Sequence, residues 1–303
     1  MSTPLHSAHD PTPGLWWGVL GISCFALTLP AMRLATGTQS APALSPWFVA
    51  WGGMALAGLS SAAFLLVTRS PWPLRAHLKP LTLAMLGHAL GYPLLLGYAM
   101  RSVNASHTAV ITALLPLATA ALAAWVLRQS ARLEFWLCAA LGGALAVLFS
   151  LLRAYAQSGS FGFAWDDLLL AAAVLATAAG YVHGAQVAPM MGAAHVTCWV
   201  CVLALPFTLP GALLLWPAPA PGWGGFVFVH TGAASTWAGY FAWYRGLATG
   251  GALRVSQVQL LQPFIPIMAS ALMWDEAIAP LTLIFAAAIV ITVVAQARKW
   301  PCQ

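Results

Sequence analysis

The chain has 303 residues, with 12 Lys+Arg against 6 Asp+Glu, so that 6% are charged while 61% are hydrophobic. Soluble domains carry about 25% charged residues, and a chain of this size cannot cover a water-facing surface with so few. Disorder is excluded as well, because disordered chains are apolar-poor and charge-rich. A polytopic membrane protein remains, and the net charge of +6 reads as basic residues marking cytoplasmic loops rather than as a nucleic-acid surface.

In chain order, residues 1–13 are polar and lack Lys or Arg, which reads as a cytoplasmic tail and not as a cleavable signal peptide. Apolar runs long enough to span follow at 14–34, 46–68, 80–100, 107–127 and 134–152. A charged break from Arg153 to Asp167 separates them from runs at 168–188, 195–216, 224–244, 255–274 and 280–297. Runs of this length read as helices, and the short alternating segments of a membrane barrel are absent. The expected fold class is an all-α polytopic membrane protein with ten transmembrane helices. On one side stand Arg69, Arg75, Lys79, Arg128, Arg132, Arg245, Arg254, Arg298 and Lys299; on the other, Arg33, Arg101 and Arg153. This asymmetry puts both termini in the cytoplasm and the chain in the cell (inner) membrane. Asn104-Ala105-Ser106 has the form of a glycosylation sequon but reads as a tight turn.

The fourth and ninth spans resemble each other. Leu114-Leu115-Pro116 leads to Leu127-Arg128-Gln129, and Leu261-Gln262-Pro263 leads to Trp274-Asp275-Glu276; each proline is 13 residues from its Gln or Glu. The preceding spans end alike, in Tyr98-Ala99-Met100-Arg101 and Ala242-Trp243-Tyr244-Arg245. The halves, 14–152 and 167–297, are thus five spans each, offset by roughly 147 residues. Five is odd, so the second half enters the membrane upside down. Inverted repeats around a midplane cavity are a transporter architecture that supports alternating access.

This pattern resembles the drug/metabolite transporter superfamily, and within it the EamA-type exporters with two tandem five-span units. The resemblance rests on Pro263, Glu276 and the following span from Ala279 to Val294, and in the first unit on Pro116 and Gly142-Gly143. It departs at Gln129, which stands where Glu is usual. It implies export of amino acids or related small metabolites. A multidrug or nucleotide-conjugate transporter is the alternative, although a diphosphate would want cavity Arg or Lys. Small multidrug exporters similar to this superfamily depend on a buried Glu in the first helix; the first span here has no acid, which disfavours that chemistry.

Intramembrane polar groups are costly and mark candidate function. His88 lies mid-span with Tyr92 four residues on and Pro93 next; it either lines the pathway, bonds between helices or couples protons. Tyr98 closes that span, and Thr112 near Pro116 is a further candidate. In the eighth span Trp237, Tyr240 and Tyr244 share one helix face and read either as pocket walls or as packing. In the ninth, Ser256, Gln259 and Gln262, with Gln257, offer uncharged amides that suit a zwitterion or bond between helices. Pro30 and Gly180 are candidate flex points, and His183, with Tyr181, could gate or cap. The expected cavity is lined by the third, fourth, eighth and ninth spans and the opening span of each half.

No catalytic residues, cofactor or metal are expected. Cys198-x-x-Cys201 has no second pair, and there is no phosphate-binding G-x-x-x-x-G-K-[ST] motif, so any energy comes from gradients. An intramembrane lipid-modifying enzyme would need a cluster of acid, His or metal ligands at one depth, but His88, His183, His195 and His230 fall on different spans. The expected partners are a small-molecule substrate and the lipid bilayer, with no nucleic acid and no obligate protein partner.

Overall fold

Apolar runs with no water to satisfy their backbone close their hydrogen bonds within the segment, which makes helices the default. The computed structural model describes residues 12–27, 37–38, 41–42, 44–99, 105–158, 166–216, 237–274 and 278–299. Its helices are α1 (Thr12–Ala26), α2 (Pro46–Val67), α3 (Arg75–Ala84), α4 (Tyr92–Ala99), α5 (Ala105–Thr112), α6 (Leu115–Val126) and α7 (Leu133–Ser158). The second half contributes α8 (Asp166–Met191), α9 (Ala193–Leu214), α10 (Gly239–Gly250), α11 (Ala252–Ser256), α12 (Phe264–Trp274) and α13 (Pro280–Lys299). A π turn (Met85–Gly91) joins α3 to α4, and a 3-10 turn (Gln257–Leu261) follows α11. Two two-residue strands, β1 (Gly37–Thr38) and β2 (Ala41–Pro42), pair antiparallel between α1 and α2.

Among the described residues these elements group into ten rods that follow the ten predicted spans. Among the described residues, five stretches are long and apolar enough to cross a bilayer: Trp47–Val67, Thr108–Val126 (across the turn at Ala113–Leu114), Leu133–Ala156, Asp167–Met191 and Ala193–Leu214. The third and ninth rods are interrupted by the π and 3-10 turns, and α1 and α10 adjoin residues outside the described set.

The interruptions recur at matched places. A turn at Ala113–Leu114 precedes Pro116, and a turn at Gln262–Pro263 precedes α12, because proline supplies no N–H to the preceding helical turn. The π turn of the third rod ends at Gly91, and π geometry in the eighth rod ends at Ala238, 147 residues later. The sequence repeat is therefore also a repeat of helix defects.

Several of the main helix contacts join equivalent rods of the two halves. The second rod packs most extensively against the seventh; the fifth also packs against the tenth, and the fourth, through α6, against the ninth, through α11, so that each pair joins equivalent rods. The first rod packs on the eighth, and the sixth packs on the third, its counterpart. Glycines give the direction at both interfaces. Gly14 meets Gly250, Gly18 meets Gly246, Gly21 meets Trp243 and Phe25 meets Gly239, while Gly87 meets Gly180 and Gly91 meets Ala176. Both pairings are antiparallel. Successive crossings alternate, so the first and third rods run the same way and the sixth opposes both: the halves are inverted. A Cβ on Gly246 would lie 2.8 Å from the Gly18 nitrogen, and one on Gly87 would lie 2.7 Å from that of Gly180, so small residues are what let these backbones touch.

The connections differ from the expected loops. Single glycines, Gly192 (φ 82°) and Gly251 (φ 81°), link α8 to α9 and α10 to α11, with backbone angles that favour glycine. The eighth rod consequently runs to Gly250 rather than ending at 244. Arg254, assigned to a loop from the sequence, is buried in α11. At the end of α2 the amides of Arg69 and Ser70 close on the carbonyls of Leu66 and Leu65 at 3.2 and 3.0 Å, a Schellman cap with arginine in the left-handed position (φ 48°).

Candidate functional site

His88 sits at the middle of the π turn and is 2% exposed. The turn follows from local sequence. The Tyr92 N–H reaches back five residues to the Gly87 carbonyl, and Pro93 has no N–H to offer. The His88 carbonyl is thereby left without a donor from the following turn. The Tyr240 hydroxyl donates to it at 3.5 Å. Gly91 completes the geometry, because a Cβ there would lie 2.5 Å from the Leu86 carbonyl oxygen. Single π turns are frequent at functional sites.

The imidazole is enclosed by aromatic rings from two rods, the sixth and the eighth. Ring centroids of Tyr240, Tyr181 and Tyr244 lie 4.5, 5.5 and 5.8 Å from that of His88. Phe25 on α1 continues the cluster at 5.0 Å from Tyr240, and Trp243 lies 5.3 Å from Tyr181. The Tyr244 hydroxyl is 3.3 Å from Nδ1 and 3.2 Å from Nε2 of His88, so the contact is shared between both nitrogens. It also approaches the Gly180 carbonyl at 3.5 Å. Gly180 provides the space for the imidazole, since a Cβ there would stand 2.6 Å from His88 Nδ1 and 2.7 Å from its backbone nitrogen. Gly184 does the same for the Tyr244 ring.

A second polar group lies where the fourth rod meets the ninth. Thr119 donates to the Leu115 carbonyl at 2.8 Å and faces Gln259 Oε1 at 3.5 Å. Gln259 is 3% exposed and Gln257 is 1% exposed. Among the described residues, Gln259 Nε2 and Gln257 Oε1 have no hydrogen-bond partner. Ser256 donates to its own helix at Leu253, 2.7 Å away, and accepts from Gln257 Nε2 at 3.3 Å. The 3-10 turn has three residues per turn, so residues three apart stack on one face, which Gln259 shares with Gln262 and not with Gln257.

The fold thus brings His88, Tyr240, Tyr244 and Gly180 together, and Gln259 faces Thr119. Gln262 is half-buried and Tyr92 half-buried at the start of α4. Tyr98 is 59% exposed and so stands outside the buried cluster. The Thr112 hydroxyl is taken up by the Thr108 carbonyl at 3.0 Å. Trp237 packs edge-on against Phe64 of α2 at 6.0 Å. His183 is half-buried and pairs with Gln186 at 3.3 Å. Pro30 lies outside the described residues. Sequence reasoning did not single out Phe25 or Thr119. An apolar span with one phenylalanine or threonine carries no spacing signal, and only the packing sets these residues opposite Tyr240 and Gln259. Gln129, where the resemblance leads one to look for Glu, accepts the Leu253 amide at 3.4 Å and so caps the start of α11.

Two copies of one sequence profile, that of the EamA-like transporter family, match residues 12–152 and 164–296. The chain belongs to the EamA-like transporter family. It is a multi-pass membrane protein and a transporter rather than an enzyme, as EamA-type membership implies. A relative from Bacillus subtilis (strain 168), described as the uncharacterized transporter YdeK, is 31% identical over 271 residues, covering 88% of this chain and 91% of the relative. A solved crystal structure superposes with a TM-score of 0.73 at 18% identity, over 94% of this chain and 98% of that one. At that identity it speaks for the fold alone.

Proposed function

We propose that this EamA-type transporter exports, or facilitates the diffusion of, amino acids and related small metabolites by alternating access across the inner membrane, with both termini cytoplasmic. The observation that carries the substrate class is the pair of unpartnered amide atoms on one 3-10 turn, a donor at Gln259 Nε2 and an acceptor at Gln257 Oε1. Leaving such groups buried costs about 1–3 kcal/mol each, a cost that a ligand bearing both a carboxylate and an ammonium offsets. Neutral amides bind a zwitterion without the larger penalty of a fixed buried charge. Alternating access is supported by the inverted packing, since exchange of the two halves interconverts inward- and outward-open shapes.

The test uses purified protein in liposomes loaded with labelled amino acids, challenged by a competitor panel at two pH values. Saturable flux, suppressed by zwitterionic competitors and reduced at least about ten-fold by Gln259→Leu, is the expected outcome; about 1.4 kcal/mol of lost binding corresponds to that factor. Flux no greater than in empty liposomes, or competition confined to lipophilic cations, would overturn the reading.

A further inference from the structure

Away from the His88 cluster, a cavity of about 240 Å³ opens where α7, α12 and α13 meet. Phe149 and Leu152 of α7, Ile267 of α12 and Leu281 of α13 form its walls, with Thr282 and Arg153 as polar members. Leu152 and Leu281 are exposed on the outer surface of the bundle, which in this protein faces lipid. Among the described residues, none that lines it is acidic. Arg153 is also one of only three basic residues opposite the nine that set the topology, so it stands where the charge rule disfavours it. A cationic group above an apolar slot open to lipid is complementary to a phosphate joined to an acyl chain, because the guanidinium makes charge-assisted hydrogen bonds to phosphate oxygens while the walls take the chain.

We propose that this slot is a binding site for an anionic phospholipid, with the phosphate on the Arg153 guanidinium and an acyl chain between Leu152, Ile267 and Leu281. The guanidinium offers a planar fork that matches phosphate oxygens. The walls supply the selectivity for a lipid over a free anion, because each buried methylene adds about 0.8 kcal/mol.

Native mass spectrometry and thermal denaturation of the full chain in detergent test this, with phosphatidylglycerol, phosphatidylcholine or inorganic phosphate added. Wild type retains phosphatidylglycerol in preference to phosphatidylcholine and is stabilised by it. Arg153→Gln lowers that retention about five-fold, the factor for one basic group at a membrane surface. Arg153→Lys loses less, and Ala279→Phe, which fills the slot while leaving Arg153 in place, abolishes retention of both lipids. Equal retention of the two lipids by wild type overturns the proposal. So does unchanged retention in Arg153→Gln, the result expected if Arg153 pairs with Asp275 or Glu276 instead. Protection by inorganic phosphate equal to that by lipid would assign the slot to a free anion and also overturn it.

Discussion

Removing the Tyr240 hydroxyl tests why the third rod carries its π turn. In wild type that hydroxyl is the donor to the His88 carbonyl, which Pro93 leaves unserved by its own helix. At 3.5 Å the bond is long, so its own strength belongs at the lower end for interhelical bonds in membranes, about 0.6 kcal/mol. The orphaned carbonyl adds a desolvation cost of about 1 kcal/mol or more. Tyr240→Phe should therefore cost about 1.5–2 kcal/mol, roughly a factor of ten to thirty in the folded ratio. Pro93→Ala restores an N–H at the position that the His88 carbonyl can use, and in that background Tyr240→Phe should cost less than about 0.5 kcal/mol. Reversible unfolding in mixed micelles, followed by tryptophan fluorescence for the four proteins of the cycle, measures both. An equal cost of Tyr240→Phe in the two backgrounds would refute the reasoning, because the hydroxyl would then serve something other than the carbonyl.

The adjacent glycines of α7 should respond with opposite signs. A Cβ on Gly143 meets nothing within 4 Å, so Gly143→Ala gains about 0.5–1 kcal/mol from helix propensity. Gly142→Ala meets Leu260 at 2.7 Å and Thr292 at 3.2 Å and gains nothing or loses stability; the same unfolding assay separates them. Gly180→Ala pushes against the backbone of His88 and Ala84, and should cost about 1–3 kcal/mol and slow transport in liposomes; undiminished flux would remove Gly180 from the site. Arg69→Gly and Arg128→Gly relieve left-handed backbone at φ 48° and 52°, and each should raise stability by up to about 1 kcal/mol, read as a higher melting temperature in detergent.

Composition, periodicity and the repeat were enough to establish a membrane protein of ten helical rods in two inverted halves. The reason is physical: a hydrocarbon solvent leaves the backbone few options, and an odd number of crossings per half forces inversion. The 13-residue spacing from Pro116 to Gln129 and from Pro263 to Glu276 marked the fourth and ninth spans as repeats of each other; the breaks beside the two prolines came only with the structure. His88, Tyr240 and Tyr244 were legible as polar groups in apolar runs. Their meeting was not, since it depends on Gly180, Gly184 and Gly87 allowing separate rods to touch. Nor did spacing foresee that the Gln257–Leu261 turn would be 3-10, that Tyr98 would face outward, that one glycine would replace a loop before Arg254, or that Arg153 would crown an apolar slot. A helix's fold is written in its own hydrogen bonds and hydropathy, whereas a site is made by contacts between rods far apart in sequence, and those are decided only when the backbones pack.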